Sequence, residues 1–145
     1  FDHYEVSSWA RRAADADYRC RHNLAYWHNH NWLGIGPSAA SHVDGVRWKN
    51  QPHLGKYLAT APDPAVQDVE RLDDDARAGE ALMLGLRLRA GMPLQRVNTH
   101  APSGSERARQ IERFTEAGLF EVTAGHLRLT DRGLMVGDAV LSELL

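Results

Sequence analysis

The rhythm of polar and apolar positions in this 145-residue chain changes near residue 60. Before that point it is irregular. Tyr4-Glu5-Val6-Ser7-Ser8-Trp9 alternates imperfectly and predicts a strand. Trp32 to Ser41 reads as a short buried strand running into a Gly-rich turn. Asp44-Gly45, set between Val43 and Val46-Arg47-Trp48, predicts a hairpin. Pro52 to Ala59 predicts a short helix. None of these segments completes a core, and together they read as the end of a larger sheet.

After residue 60 the pattern is orderly. Asp73 is placed to cap a helix running to about Arg89, with Leu82, Met83 and Leu86 on its apolar stripe. Leu84, Leu86 and Leu88 also alternate, but length and capping favour a helix. Pro93 predicts a second, short helix. Ser105 to Ala117 predicts a third, with Ala108, Ile111 and Phe114 on one face and Gly118 as its stop. Phe120-Glu121-Val122-Thr123 and Leu127-Arg128-Leu129-Thr130 flank Ala124-Gly125-His126 as an alternating hairpin. Thr130 or Asp131 caps a last helix into Leu141–Leu145. Three helices, a two-stranded wing and a closing helix make a winged-helix-like order.

Composition sharpens the division. All four Trp, all four Tyr and six of the eight His precede residue 60. The first sixty residues carry 7 basic and 5 acidic groups; the rest carry 10 and 14. Ala61-Pro62-Asp63-Pro64 reads as a linker at the shift. The expected division is therefore 1–62 and 63–145. With 43% hydrophobic and 25% charged residues, the chain has the balance of a globular protein. Its net charge of -2 offers no bulk attraction for a polyanion. No apolar run approaches the ~20 residues of a membrane span. The single cysteine forbids an intramolecular disulfide and fits a reducing, cytoplasmic setting.

Candidate chemistry concentrates in Cys20-Arg21-His22-Asn23-Leu24-Ala25-Tyr26-Trp27, followed by His28 and His30. The spacing C-x-H-x5-H-x-H does not match the paired ligands of common zinc modules. A haem site asks for less: one axial His or Cys, with aromatic and apolar walls. His22 and Tyr26 share a face if the run is helical. Local chemistry by itself favours packing, because aromatic clusters more often form core than cofactor walls. Gly34-x-Gly36 is a weak nucleotide signal, explained as well by a tight strand end. Asp73-Asp74-Asp75 reads as helix capping rather than as a calcium loop. No G-x-S-x-G elbow is present. Arg107, Arg109 and Arg113 raise a DNA-binding reading, but Glu106, Glu112 and Glu116 interleave with them, so nucleic acid is not the expected partner.

The order of motifs carries a resemblance. Tyr4-Glu5-Val6-Ser7-Ser8-Trp9-Ala10, Cys20-x-His22-Asn23-Leu24-x-Tyr26-Trp27 and Leu33-Gly34-Ile35-Gly36-Pro37-Ser38-Ala39 resemble the C-terminal third of the HemW-type proteins. These are radical SAM proteins related to oxygen-independent coproporphyrinogen III oxidase. Ala81-Leu82-Met83-Leu84-Gly85-Leu86-Arg87-Leu88, Glu116-Ala117-Gly118-Leu119 and Leu127-x-Leu129-Thr130-x-Arg132-Gly133-Leu134 resemble the family's C-terminal domain.

The resemblance implies an α+β fold, with the closing strands of a partial α/β barrel followed by a small winged-helix-like domain. It implies haem as a ligand, with His22, or alternatively Cys20, on the iron. Tyr26 and Trp27 would wall the macrocycle, and Asn23 would position a side chain or propionate. Gly34 and Gly36 resemble a stretch that faces the SAM and substrate cavity. Relatives often have Gly after Pro37; Ser38 stands here, which argues against a left-handed backbone and weakens contact at that spot. The family's [4Fe-4S] cluster hangs on a C-x3-C-x2-C motif, and one cysteine cannot replace three. Cleavage of SAM is therefore not expected of these residues.

The implied role is haem binding and delivery to an acceptor protein. The alternatives are a porphyrin-biosynthetic oxidase and a winged-helix module that docks protein or DNA. The opening at Phe1 reads as a cut into a longer protein. With its N-terminal barrel missing, the first half is expected to expose apolar edges and to associate.

Overall fold

The computed structural model describes residues 1–145. Helices and strands are mixed along the chain, which forms two compact units: Phe1–Asn29 with Ala78–Leu145, and His30–Arg77. In chain order the elements are β1 (Asp2–Glu5), β2 (Ser8–Ala10), α1 (Arg21–Trp27), β3 (Ala40–Val43), β4 (Val46–Asn50), α2 (Leu54–Ala59) and β5 (Val66–Arg71). They continue as α3 (Asp74–Gly85), β6 (Met92–Pro93), α4 (Leu94–His100), α5 (Glu106–Glu116), β7 (Phe120–Thr123), β8 (His126–Leu129), α6 (Asp131–Met135) and α7 (Gly137–Ser142).

The larger unit holds the apolar core. Leu82 and Leu86 pack with Phe114, Phe120, Leu127, Leu129, Leu141 and Leu144, and both Leu82 and Leu86 are fully buried. The Asp73 carboxylate accepts the Ala76 N–H at 2.8 Å, as its capping position predicts. Ser105 caps α5 through the Ala108 N–H at 3.2 Å, and Thr130 caps α6 through the Gly133 N–H at 2.9 Å. Strands β7 and β8 are joined by Ala124-Gly125, both at positive φ, and β6 extends the sheet in the order β6-β8-β7.

Three expectations change here. The predicted strand at Tyr4–Trp9 is a tight hairpin, β1 against β2, with His3 stacked on Trp9 at 4.2 Å. The helix expected to reach Arg89 ends at Gly85. Leu86 to Arg89 leaves it as a turn, Leu88 bridging to Glu5. The last helix breaks in two at Val136, whose φ of -123° is not helical. Gly133 explains the close packing there, because a Cβ would meet the Leu119 carbonyl oxygen at 2.0 Å.

The smaller unit is an antiparallel sheet in the order β3-β4-β5. The predicted hairpin is present: Val43 pairs with Val46 across Asp44 and Gly45, both at positive φ as a two-residue turn of this type requires. Helix α2 is found where expected, capped by His53 Nδ1, which accepts the Lys56 N–H at 3.4 Å. β5 was not expected; its residues are exposed, so no burial alternation marks them.

The segment read as a buried strand from Trp32 is instead an arc. Only Trp32 pairs, in an isolated bridge to His42, while Leu33 is 71% and Ile35 90% exposed. No large hydrophobic side chain of this unit is buried; its buried side chains are the polar Ser41, His42 and Asn50. Asn50 Nδ2 donates to the carbonyls of Gly34 and Gly36 at 3.0 and 3.1 Å. Ser41 Oγ accepts the Gly34 N–H at 3.0 Å. A polar network organises this unit where an apolar core would otherwise do so.

Two outcomes follow. Leu86→Ala should cost the larger unit about 2–5 kcal/mol in denaturant unfolding, the range for emptying a fully buried leucine site. His42 should make the smaller unit acid-sensitive. Burial, then Arg47 and Arg77, hold its pKa below the ordinary 6.5, against the weaker pull of Asp44. The unfolded chain therefore binds the proton first. Stability is full above about 6.5 and falls as pH drops from there through the lower folded value. Amide protection factors across β3 and β4, referred to the intrinsic exchange rate at each pH, should fall between pH 7 and 5, and His42→Leu should flatten that response.

Candidate functional site

Helix α1 gathers five of the seven candidate residues. Cys20 stands at its N-cap, exposed, with its thiol free and its carbonyl accepting the Leu24 N–H at 3.0 Å. His22 is exposed in the first turn. Its ring meets Tyr26 edge-to-face at 4.8 Å, the i,i+4 relation expected on a helix. No hydrogen bond occupies the His22 nitrogens. Asn23, Tyr26 and Trp27 are half-buried.

The other end of α1 is anchored. The Arg87 guanidinium lies over the Trp27 ring, 4.9 Å from its centroid, and also pairs with Asp138 at 3.0 Å. The chain leaves the helix through Asn29 at φ 54°, whose side chain donates to Glu80 at 3.3 Å. Trp27 Nε1 and Arg87 Nε are both buried without acceptors. The helix is thus held at its C-terminal end and open at its N-terminal turn, where Cys20 and His22 stand. His28 and His30 are exposed, and no three His, Cys, Asp or Glu side chains converge as a metal-holding group.

Gly34 and Gly36 belong to the smaller unit. A Cβ on Gly34 would meet the Ala40 carbonyl oxygen at 2.3 Å, so its close approach is to its own chain. Gly36 has φ 106°, open space beside it, and an N–H donated to Tyr57 Oη at 3.1 Å. Ser38 departs from the expectation. It adopts φ 61°, the left-handed backbone that its side chain disfavours, inside the turn that brings Gly36 back to Ala39.

Sequence reasoning missed Arg87. It fell inside the helix expected to reach Arg89, and nothing local in the sequence marks its contact with Trp27. The arginines of α5 are also placed. Arg107 donates to the Leu144 carbonyl at 2.8 Å and the Leu145 carbonyl at 3.2 Å. Arg109 pairs with Glu106 at 2.6 Å and donates to the Gly104 carbonyl at 2.7 Å. Arg113 pairs with Glu143 at 3.7 Å.

The chain is similar to known proteins. Residues 72–136 match the HemN C-terminal domain family. The heme chaperone HemW of Mycobacterium tuberculosis is 38% identical over 100% of this chain and 35% of its own length. That of Lactococcus lactis is 27% identical over 100% of this chain and 38% of its own. The chain therefore spans little more than a third of these relatives. Among solved structures, coproporphyrinogen III oxidase (HemN) from Escherichia coli, a radical SAM enzyme, superposes with a TM-score of 0.60. It is 17% identical, and the match covers 79% of this chain and 28% of that one.

Replacing Arg87 tests how α1 is held. Arg87→Met should remove a cation–π contact of roughly 0.5–2 kcal/mol together with the Asp138 pair. Amide exchange at His28 and Asn29, whose N–H groups close the helix, should rise several-fold while β7 and β8 stay protected. Unchanged exchange at His28 would show that α1 docks without Arg87.

Proposed function

We propose that this chain, which resembles the C-terminal portion of the HemW-like proteins, supplies the haem-binding face of a haem chaperone. The observation carrying this reading is the exposed first turn of α1. His22 presents unengaged nitrogens beside the edge of Tyr26, on a helix fixed at its far end. That donor set fits haem, which needs one axial ligand and an aromatic flank.

In this reading haem is cargo. His22 ligates its iron, with Cys20 as the alternative ligand on the same turn. Tyr26 walls the macrocycle, Trp27 supports that wall from its Arg87-backed position, and Asn23 offers a hydrogen bond to a propionate. An acceptor protein takes the haem onward. Gly34 and Gly36 line the cavity for SAM and substrate in the parent protein. The single cysteine does not fit a cluster needing three thiolates, so a [4Fe-4S] centre and the SAM it binds are held by residues beyond these 145.

The proposed domain scheme keeps 1–62 as the closing part of a partial α/β barrel and 63–145 as the winged-helix-like C-terminal domain. A cytoplasmic setting accords with the lone free thiol. No helix is long and apolar enough to cross a membrane.

The second reading, coproporphyrinogen III oxidation by the parent, rests on the superposition with HemN. A DNA-binding winged helix is disfavoured by the α5 arginines, which are spent on Glu106, Glu143 and backbone carbonyls.

A haem titration followed at the Soret band tests the first reading. The 145-residue chain should bind haem, and His22→Ala should shift the band and weaken binding by about tenfold or more, as loss of an axial ligand predicts. Cys20→Ala should leave both nearly unchanged. An unaltered spectrum and affinity in His22→Ala would remove His22 as ligand. SAM-dependent decarboxylation of coproporphyrinogen III by the full-length protein would establish the second reading.

A further inference from the structure

The larger unit carries a groove of about 560 Å³ between α4, α5 and the β7–β8 hairpin. Leu94, Val97, Ile111, Val122 and Leu127 make its apolar floor. It is a trough rather than a closed cavity, since Val122 is 53% exposed. Glu112 and Glu116 line one wall, and no lysine or arginine lines any part of it.

Ion pairs tie up most carboxylates around it. After residue 86, Glu106 pairs with Arg109, Glu121 with Arg128, Asp131 with Arg89, Asp138 with Arg87 and Glu143 with Arg113. Glu112 and Glu116 are the two carboxylate side chains of this region that stand in none of these pairs. They sit at i,i+4 on α5, so their charges line up along the groove about one helical turn apart. Two uncompensated like charges at this spacing are mildly destabilising by themselves. An incoming pair of cations with the same repeat would remove that penalty.

We infer that this groove docks a cationic amphipathic helix of a partner protein. Apolar side chains at i, i+4 and i+7 fill the trough, and a Lys or Arg pair one turn apart meets Glu112 and Glu116. This is the helix-in-groove mode of recognition, with charge fixing orientation and register. The acidic wall also sets this surface apart from α1, because a porphyrin carrying propionates would be repelled here. The inference therefore stands or falls separately from the haem reading.

The probe is a designed helical peptide with Leu at i, i+4 and i+7 and Lys flanks, titrated into the 145-residue chain beside a counterpart with Glu flanks. The Lys peptide should bind and move the methyl resonances of Val97, Ile111 and Val122, while the Glu peptide should not. The double variant Glu112→Lys with Glu116→Lys should weaken Lys-peptide binding roughly tenfold, since each exposed pair contributes modestly and reversal makes it repulsive. Val122→Lys, on an exposed strand position, should block the trough without touching α5. Equal binding of both peptides, or shifts centred outside the groove, would overturn the proposal. So would concentration-dependent shifts of the same methyls without peptide, which would make a second copy of the chain the occupant.

Discussion

The four residues that follow α3 tie the larger unit together. Leu86 to Arg89 leave the helix as a turn that faces the first hairpin. The Arg87 carbonyl accepts the Val6 N–H at 3.1 Å, and the Arg89 N–H donates to the Tyr4 carbonyl at 3.0 Å. In that turn Leu86 and Leu88 are buried, while Arg87 and Arg89 reach Asp138 and Asp131. One short segment thus feeds the core, receives the N-terminal hairpin, and places the cation that covers Trp27. A helix continued to Arg89 would rotate each successive side chain by about 100° and could not serve all three.

That segment also marks where the sequence was legible and where it was not. The α3 N-terminus, α5 and the hairpins at Asp44-Gly45 and Ala124-Gly125 could be read because their signals are local: a capping side chain, a helical stripe, and a glycine suited to positive φ. The end of α3 could not, because Leu84, Leu86 and Leu88 fit both periods, and the arbiter is Glu5, eighty residues away in sequence. β5 was invisible for a related reason. A strand exposed throughout has no buried face to impose alternation. The arc at Leu33–Gly36 misled differently: its apolar residues suggested burial, yet Asn50 and Ser41 fix its backbone while Leu33 and Ile35 point to solvent. At the candidate site, the i,i+4 pairing of His22 with Tyr26 was readable, but the Arg87 that holds the helix was not.

The two units differ in what resists unfolding. In the larger one, leucines and phenylalanines from α3, α5, α7 and the β7–β8 hairpin exclude water from one another, a non-directional force that tolerates small shifts. In the smaller one, Asn50, Ser41, His42 and Tyr57 hold backbone and ring groups through directed contacts. Such networks specify one geometry but weaken sharply when a single partner changes charge or is lost. The buried Nδ1 of His42 has no partner, and a ring already unfavourable to charge is the vulnerable member.

The shallow placement of His22 bears on what a haem-delivering surface must do. A buried axial imidazole, enclosed by apolar walls, favours retention, because each wall contact must be lost before the iron departs. An exposed imidazole on the first turn of a seven-residue helix makes few such contacts. In the proposed role this lowers the barrier to ligand exchange, and an acceptor's own ligand can approach the open side of the iron. The rigidity needed to present the ring comes from the opposite end of α1, where Arg87 and Glu80 hold Trp27 and Asn29. Separating anchorage from presentation along one short helix lets the ligand be both well oriented and easily exchanged. Carriage asks for that combination, whereas catalysis at a resident cofactor would favour deeper enclosure.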